Sequence, residues 1–320
     1  MKILYVAMEF DYGFRERGKS FEESAFYETF KAMGHTIIRF DYMELIKVHG
    51  KYKMNQLLRD TVDRDKPDLL FCVLFKDEID KNVITAITKE TATKTLSWFC
   101  DDQWRFDAFT RFWAPSFTWS TTTDIFSIPK YKSIGYKNVI LTQWGANHYI
   151  FKKNNVLKKY DVTFIGQPYG DRAKIIDKLQ KHGINIQNWG TGAKNGRLTY
   201  DEVINVFNES KINLNFSSSF RHLLMFWQNK RRDQIKARNF EIPATGSFQL
   251  ASYVAGIEEY FIPEKEIVCY KNFNELEDKI RYYIMNESER ENIAKAGYDR
   301  FLREHTYEIR FKKIFDRIFA

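Results

Sequence analysis

"YDVTFIGQPYGDRAKIIDKLQKHGINIQNWG", residues 160 to 190, reads as a strand, a glycine-bearing turn, a helix closed by glycine and a second strand. The pattern continues with a helix at "TYDEVINVFNES" and a strand at "KINLNFS". Strands at "SFQLAS" and "EIVCYK" follow, then helices at "NELEDKIRYYIMN" and "SERENIAKAGYDRFLREH". Upstream, the same alternation runs from "KILYVAM" through the helix "FEESAFYETFKAMG" and the strand "HTIIRFDY" to the helix "MNQLLRDTVDRDKP". The run "DLLFCVLF" is continuously apolar, as expected of a central parallel strand covered on both faces. After it come the helix "EIDKNVITAITKET" and the strands "KTLSWFC", "FTWSTT" and "NVILTQWG". Strand–helix repetition of this kind predicts doubly wound parallel sheets in an α/β chain.

The texture breaks at "NHYIFKKNNVLKKY", residues 147 to 160, which is polar and rich in Lys and Asn. We place a domain boundary there. The expected organisation is a Rossmann-like N-terminal domain over 1–152, a second Rossmann-like domain over 153–305 and a final amphipathic helix over 306–320. Two such domains place ligands in a cleft lined by the C-terminal ends of their strands.

The chain has 320 residues and 44% hydrophobic content, enough for two cores. It shows no apolar run long enough for a membrane span, and "MKILYVAMEF" reads as a first strand rather than a signal peptide. Cys72, Cys100 and Cys269 are scattered and read as buried thiols of a reducing, cytoplasmic protein. The six histidines show no metal-ligand spacing, so no bound metal is expected. The net charge of +8 suits a nucleic acid, a membrane surface or a phosphate-bearing substrate.

Several residues are candidates for chemistry. Gly166 and Arg172 sit at a strand-to-helix turn, where exposed N–H groups and a cation suit a phosphate; the turn is also a plain structural one. In "DQIKARNFEIPATG", Lys236 and Arg238 suit a diphosphate, and Glu241 suits two vicinal hydroxyls or the capping of a helix. Asp233 precedes Glu241 with seven residues between them. Asp101 and Asp102 follow the strand "KTLSWFC" and are candidate general bases, one of them also suiting an N-cap. Glu22 in the loop after the first strand is an alternative acceptor-side carboxylate, and His148 lies near the domain junction. Tyr169 and Trp189 suit stacking on a base or simple packing.

The C-terminal half resembles the glycosyltransferases of the GT-B fold, and most of all their spore-maturation-protein-like (CgeB-like) group. The resemblance rests on Arg238, Phe240, Glu241, Ala244 and Gly246, then Tyr270, then Leu276, Ile280, Tyr282 and Tyr283, then Ala294 and Gly297, then His305, Thr306 and Arg310. Trp98, Asp101 and Asp102 carry a looser likeness in the N-terminal half. It implies two Rossmann-like domains with an interdomain cleft and a last helix that crosses back to the first domain. It further implies metal-independent sugar transfer from a UDP- or GDP-sugar to a hydroxyl, with no other cofactor. Glu241 matches the carboxylate that holds the donor's ribose, and Asp233 stands where the wider class has a glutamate. The acceptor stays open between a glycan, a protein and DNA.

Three other readings remain in play. A sugar-nucleotide epimerase would use the same fold without an acceptor. A nucleic-acid-binding module would use the basic aromatic stretch "RHLLMFWQNKRR", residues 221 to 232, with Phe226 and Trp227. Sugar transfer and nucleic-acid binding merge in the third, a phage-type DNA glycosyltransferase acting on modified bases.

Overall fold

The computed structural model describes residues 1–218 and 233–320. The chain divides into two units, Met1–Gln143 with Tyr307–Ala320, and Trp144–Thr306.

In the first unit β1 (Lys2–Val6), β2 (Thr36–Phe40), β3 (Leu69–Cys72), β4 (Lys94–Phe99), β5 (Trp119–Thr122) and β6 (Val139–Leu141) form one sheet in the order β2-β1-β3-β4-β5-β6. Every neighbouring pair is parallel. The central strand β3 is buried at all four residues, which is why its sequence shows no polar alternation. Successive side chains go to opposite faces. Leu4, Val6, Leu70 and Cys72 join one core, while Tyr5 and Phe71 stack on the other side of the sheet. A π-helical turn, Glu23–Tyr27, leads into α1 (Glu28–Ala32). The helix α2 (Tyr42–Asp65) is capped by Asp41 and broken at Gly50, whose φ of 78° lies in the region that favours glycine. The helices α3 (Lys81–Glu90), α4 (Asp102–Arg105), α5 (Arg111–Trp113) and α6 (Ile128–Ser133) complete the connections.

The second unit is a five-stranded parallel sheet in the order β11-β10-β9-β7-β8. Its strands are β7 (Tyr160–Ile165), β8 (Ile186–Trp189), β9 (Ser210–Asn215), β10 (Gln249–Ser252) and β11 (Val268–Tyr270). Its helices are α7 (Arg172–Lys181), α8 (Tyr200–Glu209), α9 (Arg238–Ala244), α10 (Phe273–Met285) and α11 (Glu287–Glu304). The helix α8 starts with a complete capping box between Thr199 and Glu202. The helix α11 comes close enough that a Cβ at Gly297 would lie 2.4 Å from the Glu266 carbonyl oxygen.

The second unit begins at Trp144, so the expected boundary after residue 152 falls inside it. The reason is packing: Ala146 and Phe151 are buried in this unit's core with Phe207 and Phe240. The last helix, α12 (Tyr307–Phe319), belongs to the first unit. Its stripe of Phe311, Ile314, Phe315 and Ile318 is buried, and the Phe311 ring lies 4.4 Å from Phe30 and 5.9 Å from Trp98. Among the described residues, no helix is long and apolar enough to cross a membrane.

Candidate active site

In the second unit Gly166, Arg172 and Lys236 stand where β7, β8 and β9 end. The Gly166 N–H donates to the Trp189 carbonyl at 2.8 Å, tying the first two strand ends together. A Cβ at Gly190 would lie 2.3 Å from the Gly166 carbonyl oxygen, and its φ is +143°, so only glycine fits. Trp189 is buried and meets Tyr160 edge-on, which gives it a packing role.

Arg172 opens α7 and is only 5% exposed. Its Nε donates to Ser218 Oγ at 3.3 Å and its Nη1 to the Gln167 carbonyl at 3.1 Å. Its Nη2 donates to the carbonyls of Phe216 at 3.1 Å and Ser218 at 2.6 Å. The guanidinium also stacks over Tyr169 at 4.0 Å. These bonds make Arg172 a clamp between the turn after β7 and the segment after β9, in place of the open phosphate ligand expected from the sequence.

Lys236 reaches the same point and is half-buried. Its Nζ donates to the Ser218 carbonyl at 2.7 Å and to the Tyr169 hydroxyl at 3.2 Å. That hydroxyl itself donates to the Ser218 carbonyl at 3.2 Å. Two cations and a phenol thus converge on one carbonyl oxygen, across a sequence separation of 46 residues between Arg172 and Ser218. Ser218 was not singled out from the sequence. The signal for it was the polar run "SSS" directly after an apolar strand.

Glu241 lies in the first turn of α9, is 2% exposed and pairs with Arg238. The Arg238 guanidinium packs 5.4 Å above the Phe207 ring. The N-cap position is Ala237, with no side-chain cap, and Asn239 accepts from the Lys236 N–H at 2.9 Å. Glu241 is therefore held by a cation rather than used as the cap. Asp233 is exposed. His148 is half-buried, with its ring 4.0 Å from that of Tyr149. The stretch 221–232, with Phe226 and Trp227, lies outside the described residues.

In the first unit the two adjacent aspartates separate. Asp102 is fully buried at the start of α4. Its Oδ1 accepts from the Thr110 hydroxyl and its Oδ2 from the Tyr131 hydroxyl, each at 2.7 Å. Burial pushes its carboxyl above the ordinary range, against hydrogen bonds from Thr122, Thr110 and Tyr131 that favour the charged form. With no exposed surface, Asp102 does not suit the role of base expected of it. Asp101 is half-buried. Its charge and that of Glu22 both act on Tyr12 and on Cys100, whose acidities are depressed first by burial. The two carboxylates thus share one neighbourhood at the ends of β1 and β4. Burial raises the Glu22 carboxyl, partly offset by a hydrogen bond from Ser20. Among the described residues, no group of three or more His, Cys, Asp or Glu stands where a metal ion could be held.

A family model described as glycosyl transferase-like matches residues 167–316. Spore protein CgeB of Bacillus subtilis (strain 168) is 24% identical to this chain over 199 residues, covering 56% of this chain and 61% of that protein. The match therefore spans less than two thirds of CgeB's length. Among solved structures, sucrose-phosphate synthase from Thermosynechococcus elongatus superposes with a TM-score of 0.65 at 10% identity, covering 100% of this chain and 99% of that one. Anabaena HepE in complex with UDP-glucose gives 0.65 at 11% identity, covering 99% of each chain. A glycosyltransferase from Rickettsia africae gives 0.64 at 14% identity, covering 99% and 97%. The chain shares the fold of these structures, the GT-B arrangement of two Rossmann-like α/β domains. The matched segment contains Tyr169, Arg172, Ser218, Lys236, Arg238 and Glu241, while Gly166 lies one residue before it.

Proposed function

We propose that this protein is a glycosyltransferase that moves a sugar from a nucleoside diphosphate sugar to a hydroxyl of an acceptor. The observation that carries the reading is the convergence of Lys236, Arg172 and Tyr169 on the Ser218 carbonyl, inside the segment that the glycosyl transferase-like model matches. A diphosphate at that point would take charge-assisted bonds from Lys236, about twice as strong as neutral ones. Lys236 is the cation that meets the phosphates, and Arg172 holds the loop in place behind it. Glu241, oriented by Arg238, accepts hydrogen bonds from the ribose hydroxyls. The solved complex of HepE with UDP-glucose supports uridine diphosphate over its guanosine counterpart as the leaving group.

In the reaction the acceptor oxygen bonds to the anomeric carbon while the bond from that carbon to the phosphate oxygen breaks. The electron pair leaves with the diphosphate, where Lys236 stabilises the developing charge without a bound metal being required. The acceptor proton goes to a carboxylate of the first unit, for which Asp101 and Glu22 are the candidates. Burial raises the Glu22 pKa above that of an ordinary carboxyl, which makes it the stronger base.

Calorimetric titration with UDP, GDP, ADP, CDP and dTDP, followed by turnover of the matching sugar donors, tests the reading. Lys236→Ala and Glu241→Gln each lose a charge-assisted interaction worth about 1.5–3 kcal/mol, so the preferred nucleotide should bind at least about tenfold more weakly. A wild-type protein that binds none of the five, or two variants that bind like the wild type, would overturn it.

A further inference from the structure

The first unit carries a second recess that the donor chemistry does not use. A hollow of about 630 Å³ is floored by Asn55, Ile79 and Trp113 and edged by Tyr52 and Phe112. A second hollow of about 440 Å³ adjoins it, and Tyr52, Asn55 and Asp80 line both. Tyr52 is therefore a fin between two recesses, and it is 79% exposed. Phe112 is 55% exposed and lines the larger hollow. Large aromatic faces presented to water around a concavity mark an interaction site more often than single scattered apolar residues do.

The local construction is rigid. Gly50 breaks α2 with φ 78° and ψ 161°, so Lys51 and Tyr52 open a fresh helical segment. The Tyr52 hydroxyl accepts from Gln56 Nε2 at 3.0 Å. Asn55 is buried, donates to the Lys51 carbonyl at 2.8 Å and accepts from the Asp80 N–H at 2.7 Å, which locks α2 to the start of α3.

Charge identifies the occupant. Around the larger hollow Lys51 and Lys81 face Asp77 and Asp80, and Lys51 pairs with Asp77 at 3.4 Å. Around the smaller one Lys53 and Arg59 face Asp60 and Asp80, with Arg59 paired to Asp63 and Glu90. Lys51, Lys53, Lys81 and Arg59 thus stand against Asp60, Asp77 and Asp80 on the lining and Asp63 and Glu90 beside Arg59, which leaves no excess of cations, whereas a surface that tracks a phosphate backbone needs one. Exposed aromatic rings beside balanced donors and acceptors suit a neutral molecule with apolar C–H faces and many hydroxyls. We propose that these two hollows are consecutive subsites for a neutral oligosaccharide, with sugar rings packed against Tyr52 and Phe112. The inference rests on the proposed sugar transfer in one respect: it makes the acceptor a glycan chain whose remote sugars dock here.

The test is an array of neutral and acidic oligosaccharides, with a thymidine 20-mer as the polyanion control, read for the wild type, Tyr52→Phe, Tyr52→Ala and Phe112→Ala. The exposed positions allow all variants to keep the wild-type melting temperature and the wild-type rate of donor hydrolysis without acceptor. The expected result is binding of neutral oligosaccharides by the wild type, retained by Tyr52→Phe and weakened about tenfold by each alanine, the size of one lost ring contact. No neutral glycan bound, alanine variants binding like the wild type, or salt-sensitive binding of the 20-mer and acidic glycans alone would each overturn the proposal. Glycan binding through Tyr52 with no nucleotide-sugar turnover would instead remove the proposed transfer and leave the site standing.

Discussion

Asp101 and Asp102 differ by one position in the chain and by their whole environment in the fold. Asp102 spends both carboxylate oxygens on Thr110 and Tyr131 in the core, whereas Asp101 keeps part of its surface open next to the neighbourhood of Glu22. Asp102→Asn replaces one acceptor oxygen by a donor facing a hydroxyl, and should cost about 1–3 kcal/mol of stability. The folded fraction should turn over sugar normally. Asp101→Asn should melt like the wild type and, if it is the base, lose about 10²–10⁴-fold in rate with unchanged nucleotide affinity. Urea denaturation and initial rates on both variants separate the two roles. Normal rates for Asp101→Asn would pass the base to Glu22. Both aspartates were legible as loop carboxylates after a parallel strand. Which one faces inward was not, because Tyr131 lies 29 residues further along.

At the scale of elements, α12 shows how periodicity and packing divide the work. The spacing of Phe311, Ile314, Phe315 and Ile318 was plain in the sequence as one apolar stripe. What that stripe meets is set by Phe26, Phe30, Phe71 and Trp98, residues from four separate elements. Phe311 is completely buried among them, so Phe311→Ala should cost about 3–5 kcal/mol through lost transfer energy and the cavity left behind. Equilibrium denaturation followed by tryptophan fluorescence would register this, since Trp98 is part of the cluster. A loss under about 1 kcal/mol would mean that the helix is not integral to this core. The π-helical turn at Glu23–Tyr27 and the break at Gly50 were less legible. A helical pattern of apolar residues does not reveal an extra backbone residue in one turn, and a lone glycine in a helix is often tolerated.

For the molecule as a whole, one buried group ties stability to pH. Glu23 is almost fully buried in the first unit; it pairs with Arg39 and lies 3.8 Å from Lys19, and its Oε2 has no hydrogen-bond partner among the described residues. Burial pushes its carboxyl from the ordinary 4.5 to about 7, against the pull of Arg39 and Lys19 and with the help of Glu9 and Glu28. Between those two values the folded chain holds a proton that the unfolded chain has released. The stability from this group is therefore complete below pH 4.5 and is lost as pH rises to about 7. Relative to Glu23→Gln, which does not titrate, the wild type should lose on the order of 3 kcal/mol between pH 4 and pH 8. Urea unfolding of both proteins at the two pH values measures it, and a difference that stays constant would show that folding does not shift the Glu23 carboxyl.

The sequence by itself determined the α/β class, the run of parallel strands, the late change of texture near the boundary and the pairing of cations with Glu241. These are local signals, written in the spacing of apolar residues and in glycine-bearing turns that act over a few positions. Tertiary structure alone decided that Arg172 is a clamp, that Asp102 is closed off, that Ala146 and Phe151 join the second unit, and that Ser218 is the point where Lys236 and Tyr169 meet. Each of those outcomes depends on partners brought together from distant parts of the chain. A charged side chain's use follows from the dielectric and the hydrogen bonds around it, and both are created only when the strands assemble.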